Sequence, residues 1–202
     1  MSTLLTTNLK NPSSGSNNIV LAADGSTTVP TLSSTTITGT TIQGTIKSGT
    51  AVASTSGTAI DFTGIPSWVK RVTVMFNGVG TNGSSIIQMQ LGTASGFVTS
   101  GYLGSVDSIS TGVAATTFAT GLALTRSGGA GAANVYHGAA TFNLINTNFW
   151  IGTQLSAASN SGQVNHAACS VDISAVLTRI RITTVNGTDT FDAGTINLLW
   201  EG

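Results

Sequence analysis

Val72-Thr73-Val74-Met75-Phe76-Asn77 places Val72, Val74 and Phe76 at alternate positions. A period of two is the mark of a strand with one face in a core and the other toward water. The same beat returns in Ile196-Asn197-Leu198-Leu199-Trp200, where Ile196, Leu198 and Trp200 alternate. Between these two anchors the pattern predicts strands near Ser85–Leu91, Thr116–Thr125, Ala139–Ile145, Phe149–Ala157, Val164–Ile173 and Ile180–Val185. Turn residues punctuate them: Asn77-Gly78, Asn82-Gly83, Ser127-Gly128-Gly129-Ala130-Gly131 and Asn186-Gly187-Thr188, all suited to a positive φ. About seven or eight antiparallel strands with no helical period predict two packed sheets, a jelly-roll-like β-sandwich over residues 56–202.

Composition agrees with an all-β fold. Glu occurs once and Lys three times, while Thr, Val and Ile recur throughout the 202 residues. Charged side chains make up only 7% of the chain, against roughly 25% in ordinary soluble domains. Ser, Thr, Asn and Gly supply the missing polarity, so the surface is hydrated without carrying a field. Sheets of this kind lack the Lys and Pro that normally protect strand edges, which predicts that neighbouring copies cover them.

Residues 1–55 differ from the rest. They are rich in Ser, Thr, Asn and Gly, nearly without aromatic residues, and unable to build a core alone. A Thr/Ile/Gly phrase repeats from Thr36 to Gly49. Three copies around one axis would turn Ile37, Ile42 and Ile46 inward, with Gly39, Gly44 and Gly49 at the bends, as in a slender fibrous stalk. A flexible Ser/Thr/Gly linker is the competing reading.

Charge and cysteine usage exclude several functions. Seven basic residues balance seven acidic ones, so there is no field to attract a phosphate backbone or an anionic membrane, and no nucleic-acid partner is expected. Lys70, Arg71, Arg179 and Arg181 are the only close basic neighbours, read as strand-end or solvent-face residues. The single Cys169 excludes an intrachain disulfide and a cysteine zinc site, and reads as a small buried strand residue. The first residues lack the basic-then-apolar pattern of a secretory signal, and no apolar run spans a bilayer, so no membrane insertion is expected.

The chemistry-bearing residues do not form a recognisable site. No G-x-S-x-G occurs, and the glycines of 127–131 match neither a dinucleotide fingerprint nor a phosphate loop. His137 and His166 lie in separate predicted strands among small neutral residues, and read as structural or surface histidines. Asp61, Asp107, Asp172, Asp189, Asp192 and Glu201 are the whole carboxylate supply after residue 55. Most adjoin turns, where Asp bonds its own backbone. Asp189 and Asp192 are too few for a calcium cage. Trp68 reads as a core plug where a loop enters a strand, with an exposed platform for sugar as the alternative. No catalytic, cofactor-binding or metal residues are expected, and the chain is read as a non-enzyme.

Three phrases resemble phage virion proteins of the tail-fibre and head-fibre type. They are Leu9-Lys10-Asn11-Pro12-Ser13-Ser14-Gly15-Ser16-Asn17-Asn18-Ile19-Val20-Leu21, then Ile60-Asp61-Phe62-Thr63-Gly64-Ile65-Pro66-Ser67-Trp68-Val69-Lys70-Arg71-Val72-Thr73-Val74, and the closing Asp189 to Glu201. The resemblance implies an N-terminal segment that docks on other virion proteins, a spacer, and a trimeric β-domain facing outward. It implies a location on the particle after synthesis in the host cytoplasm, and no catalytic residues. Two roles fit: a homotrimeric receptor-binding-type fibre that attaches to a host surface glycan or protein, or a capsid decoration protein that stabilises the shell. A depolymerising enzyme is the third and least favoured. Loop tips at Gly80–Ser84, Ser127–Asn134 and Ser159–Gly162 are the candidate contacts.

Overall fold

The computed structural model describes residues 46–202 without a break, together with Asn8–Leu9, Pro12, Ser13, Gly15, Ile19–Leu21, Ala23 and Thr27–Thr28. The chain divides into two compact units, Met1–Ile42 and Gln43–Gly202. In the first, β1 (Asn8–Leu9), β2 (Ile19–Leu21) and β3 (Thr27–Thr28) form a small antiparallel sheet in that order. The stalk positions Ile37, Gly39, Ile42 and Gly44 lie outside the described residues.

The second unit is an antiparallel β-sandwich with no helix among the described residues. Its strands are β4 (Ile46–Ser48), β5 (Val52–Ala53), β6 (Ala59–Thr63), β7 (Arg71–Thr81), β8 (Ile87–Thr93), β9 (Gly96–Phe97) and β10 (Leu103–Ile109). Then follow β11 (Val113–Phe118), β12 (Leu122–Ala123), β13 (Tyr136–Asn146), β14 (Phe149–Ala158), β15 (Gln163–Asp172), β16 (Arg179–Thr184) and β17 (Phe191–Glu201). The large sheet runs β11-β10-β15-β14-β13-β7-β17-β4, with β5 also on β17. The small sheet runs β12-β8-β16-β6, with β9 on β8.

The chain alternates between the sheets. β6, β8, β12 and β16 go to the small one, while β7, β10–β11, β13–β15 and β17 go to the large one. Such alternation is the winding of a jelly roll, here with a three-strand meander, β13–β15, in one position of the large sheet. The inner faces meet in one core that joins Val72, Val74, Phe142, Trp150 and Leu198 of the large sheet to Met89, Leu91, Ile180 and Ile182 of the small one. Tyr102, fully buried, donates nothing outward: its hydroxyl accepts the Leu91 N–H at 2.7 Å, and burial raises its pKa.

Several details differ from the sequence reading. Ile46 and Gly49, read as stalk positions, stand at the rim of the large sheet: Ile46 pairs with Glu201, and the Gly49 N–H bonds Leu198 O. The predicted strand Thr116–Thr125 is two strands in different sheets, β11 and β12. Asn77-Gly78 does not end a strand. It lies inside β7 as a bulge, with Gly78 at φ +68°, a conformation glycine takes without cost.

Candidate functional site

Two surfaces of the sandwich carry features beyond packing. The first is one end, where the chain turns between strands at 82–86, 110–112, 124–135, 159–162 and 185–190. The registers place these turns together, because β7, β10, β14 and β16 end there and β8, β11, β13, β15 and β17 begin there. All three loop tips read from the sequence lie at this end.

Short polar side chains tie these loops in pairs. The Asp189 carboxylate accepts the Ser85 N–H at 2.9 Å and the Asn186 amide at 2.7 Å, and Asn82 Oδ1 accepts the Thr190 N–H at 2.9 Å. These bonds hold the Asp189 carboxyl below its ordinary pKa, the Asn186 amide being the larger cause. Asp189 is thus a loop staple, as its turn context predicts. On the other side Asn160 Oδ1 accepts the Val135 N–H at 3.0 Å, its amide reaches Ala133 O, and Ser159 N–H bonds Val135 O at 3.0 Å.

Beneath the second pair of loops lies a buried polar cluster. Gln163 Nε2 reaches Thr125 Oγ1 and Asn165 Oδ1, both at 2.6 Å, and Ser108 Oγ at 3.0 Å. Ser108 donates to Asn165 Oδ1 at 2.6 Å, and Ser156 and Gln154 both donate to Leu124 O at 3.1 Å. Buried polar groups satisfied in a network rigidify what they join. Here they fix β10, β14 and β15 against the segment that leaves β12, which holds the loop base. Sequence reasoning missed this cluster, since Ser, Thr and Gln alternate in strands whether they face water or core.

The second surface is the outer face of the large sheet over β11, β10, β15 and β14. Leu103 and Val113 are 74% and 73% exposed, Leu155 is 56% exposed, and Ile109 and Val164 stand beside them. The register joins them: Ile109 pairs with both Val113 and Val164, and Val164 with Ala157. The remaining outward positions are mostly Ala, Ser and Thr. A dip of about 480 Å³ opens where Leu155, Ala157, Val164, Ala139 and His137 surround Gly138.

Two ionisable side chains interrupt this area, and they face each other. His166 Nδ1 lies 3.2 Å from Asp107 Oδ1, which also accepts the His166 backbone N–H at 3.0 Å. His166 is therefore next to a carboxylate that is 59 residues away in sequence. No family model, no curated protein and no solved structure matches the chain. The pair opens onto a shallow surface with Ser105, Ala115, Ala167 and Ala168, with no acyl- or phosphoryl-binding groups converging on it. His137 is separate, 3.0 Å from Asn77 Oδ1. Among the described residues, no three His, Cys, Asp or Glu side chains gather to hold a metal ion.

The other sequence candidates serve the scaffold. Arg181 forms a two-pronged bond with Asp61, at 2.8 and 2.7 Å, and its guanidinium lies 4.1 Å from the Phe97 ring centroid. Arg179 flanks the same ring at 5.7 Å, and Arg71 pairs with Glu201 at 3.6 Å. Asp172 accepts the Ser174 N–H at 2.7 Å. Cys169 is buried, and burial pushes its thiol up to about 11, which leaves it unreactive at neutral pH. Trp68 is not the plug expected of it: it is 38% exposed with the Lys47 ammonium 5.9 Å from its ring centroid, while Ile65 and Val69 fill the core beside it.

Proposed function

We propose that this chain is a non-catalytic structural protein of a bacteriophage particle, of the tail-fibre or receptor-binding type. It works as a homotrimer that docks on other virion proteins through its N-terminal unit, Met1–Ile42, and presents the sandwich outward. The observation that carries the self-association is the outer face of β11, β10, β15 and β14. That face is apolar and nearly uncharged, so a different patch of a neighbouring copy, as a ring of three requires, can cover it with little charge to desolvate. Asp107 and His166 are already paired with each other and Asp172 stands at the far rim, so covering the face strands no charge. Exposed apolar side chains grouped this way on a monomer would be an aggregation hazard, and burial between subunits removes it.

The loop end then faces away as the adhesive surface. Its tips are held by side-chain bonds rather than left mobile, so contact with a host glycan or protein costs little ordering entropy. Three weak sites on one axis raise effective concentration without any new contact. The virion setting is supported by the phrases around Asn11, Ile60 and Phe191 that resemble phage fibre proteins.

Light scattering on the full chain tests the assembly. The expected mass is three times 20.3 kDa. A single-chain mass at micromolar concentration would sink the proposal. Imaging of particles carrying the protein tests the station, with density on the tail expected and density on capsid faces counting against it.

A further inference from the structure

Asn77-Gly78 sits in the middle of the large sheet, yet both neighbouring ladders step over Gly78. On one side Tyr136 pairs with Val79 and Gly138 with Phe76, and on the other Ala193 pairs with Gly80 and Thr195 with Asn77. Gly78 therefore has no ladder partner on either flank. Its N–H donates instead to His137 Nδ1 at 3.3 Å, and the same ring nitrogen lies 3.0 Å from Asn77 Oδ1.

One imidazole nitrogen thus touches the nitrogen that would attack and the oxygen of the amide it would attack in closing a succinimide. Ring closure needs the Gly78 nitrogen to lose its proton and attack Asn77 Cγ, and it needs the side-chain carbonyl polarised. With its proton on Nε2, His137 accepts from Gly78 N. With its proton on Nδ1, it donates to Asn77 Oδ1. Glycine after asparagine adds no Cβ to block the approach, and the bulge leaves the Gly78 N–H outside both ladders.

We propose that Asn77 is a self-modification site, converted through a succinimide to aspartate and isoaspartate with His137 as the general acid–base. The Gly78 N–H proton passes to His137, the Gly78 N–Cγ bond forms, and the Cγ–Nδ2 bond breaks. Ammonia leaves with the proton that His137 carried. Water then opens the imide at either carbonyl, and nothing is oxidised or reduced. A neutral amide becomes a carboxylate beside the uncharged area of the large sheet, and the isoaspartyl product adds a methylene to the chain inside β7.

Two other Asn-Gly pairs serve as internal references. Asn82 Oδ1 is held by the Thr190 N–H at 2.9 Å. Asn186 Oδ1 accepts the Thr188 and Asp189 N–H groups at 3.0 and 3.2 Å, and its amide donates to Asp189. Both side chains are fixed by bonds within or across the loops, and the Gly187 N–H is itself taken by Thr184 O at 3.0 Å.

The test is peptide mapping of the full chain after incubation at neutral pH, once folded and once in urea, counting the gain from NH2 to OH at each site. Asn77 is expected to convert faster folded than unfolded, while Asn82 and Asn186 convert more slowly folded than unfolded. His137→Gln is expected to slow Asn77 by about a hundredfold, the lower end of a positioned acid–base contribution. Continued protection of Asn82 and Asn186 reports that the variant is folded. Conversion of Asn77 that is slower folded than in urea overturns the proposal, and this wild-type comparison needs no variant. An unchanged rate in folded His137→Gln overturns the role of the imidazole.

Discussion

The two sheets share one core and present opposite outer faces. Outside the small sheet, Arg179 and Arg181 flank Phe97, Asp61 neutralises Arg181, and Gln88 and Gln90 bond the segment at Thr120 that covers β8. Every large group there has a partner within the same chain. Outside the large sheet, Leu103, Val113 and Leu155 stand in the open beside alanines and threonines. One face is finished within the chain, and the other leaves large apolar side chains uncovered by it. Charge is scarce in the whole chain, and the small sheet's solvent side takes two of its arginines.

The sharpest way to break that contrast is to charge the open face. Leu155→Glu should dissociate the assembly to single chains, seen by light scattering, with the far-UV spectrum unchanged because the side chain is 56% exposed and lies outside the core. Persistence of the trimer would move the interface elsewhere. Next in size, Arg181→Ala removes both the Asp61 fork and the Phe97 stack, and should lower stability by about 1 kcal/mol in denaturant titration. Its mass should stay that of the wild type.

A smaller effect concerns the loop end that both sheets share. Asp189 has a depressed folded pKa, so its contribution is present above the ordinary carboxyl range and fades as pH falls through the folded value. Amide exchange at 82–86 and 185–190 should therefore rise in acid before the core strands open, and Asp189→Asn should flatten that dependence. The smallest effect is the matched control on the small sheet. Thr63→Glu, exposed beside Arg179, should leave mass unchanged and stability within about 0.5 kcal/mol.

The core of this comparison was legible from sequence, and its margins were not. Val72, Val74 and Phe76 announce β7 because apolar residues alternate with polar ones, and Ile196 and Leu198 do the same for β17. β10, Leu-Gly-Ser-Val-Asp-Ser-Ile, was missed because its pattern is inverted: Leu103 and Ile109 point outward while Ser108 is buried in a polar cluster. A period-two reading assigns the apolar set to the core, and here that rule fails where the outer face itself is apolar. Asn77-Gly78 has turn chemistry, yet the positive φ it supplies is used for a bulge. The Asp107–His166 pair depends on the register of β10 against β15, which no local pattern encodes.

The position of β17 constrains how the protein comes into being. Residues 191–201 lie between β7 on one side and β4 with β5 on the other, so those earlier strands have no hydrogen-bonding neighbour there until translation has passed residue 201. Until then the widest sheet keeps an open seam. Closure is then a late, long-range and comparatively slow event. A chain cut before residue 191 would not lose an edge but leave the seam permanently unsewn.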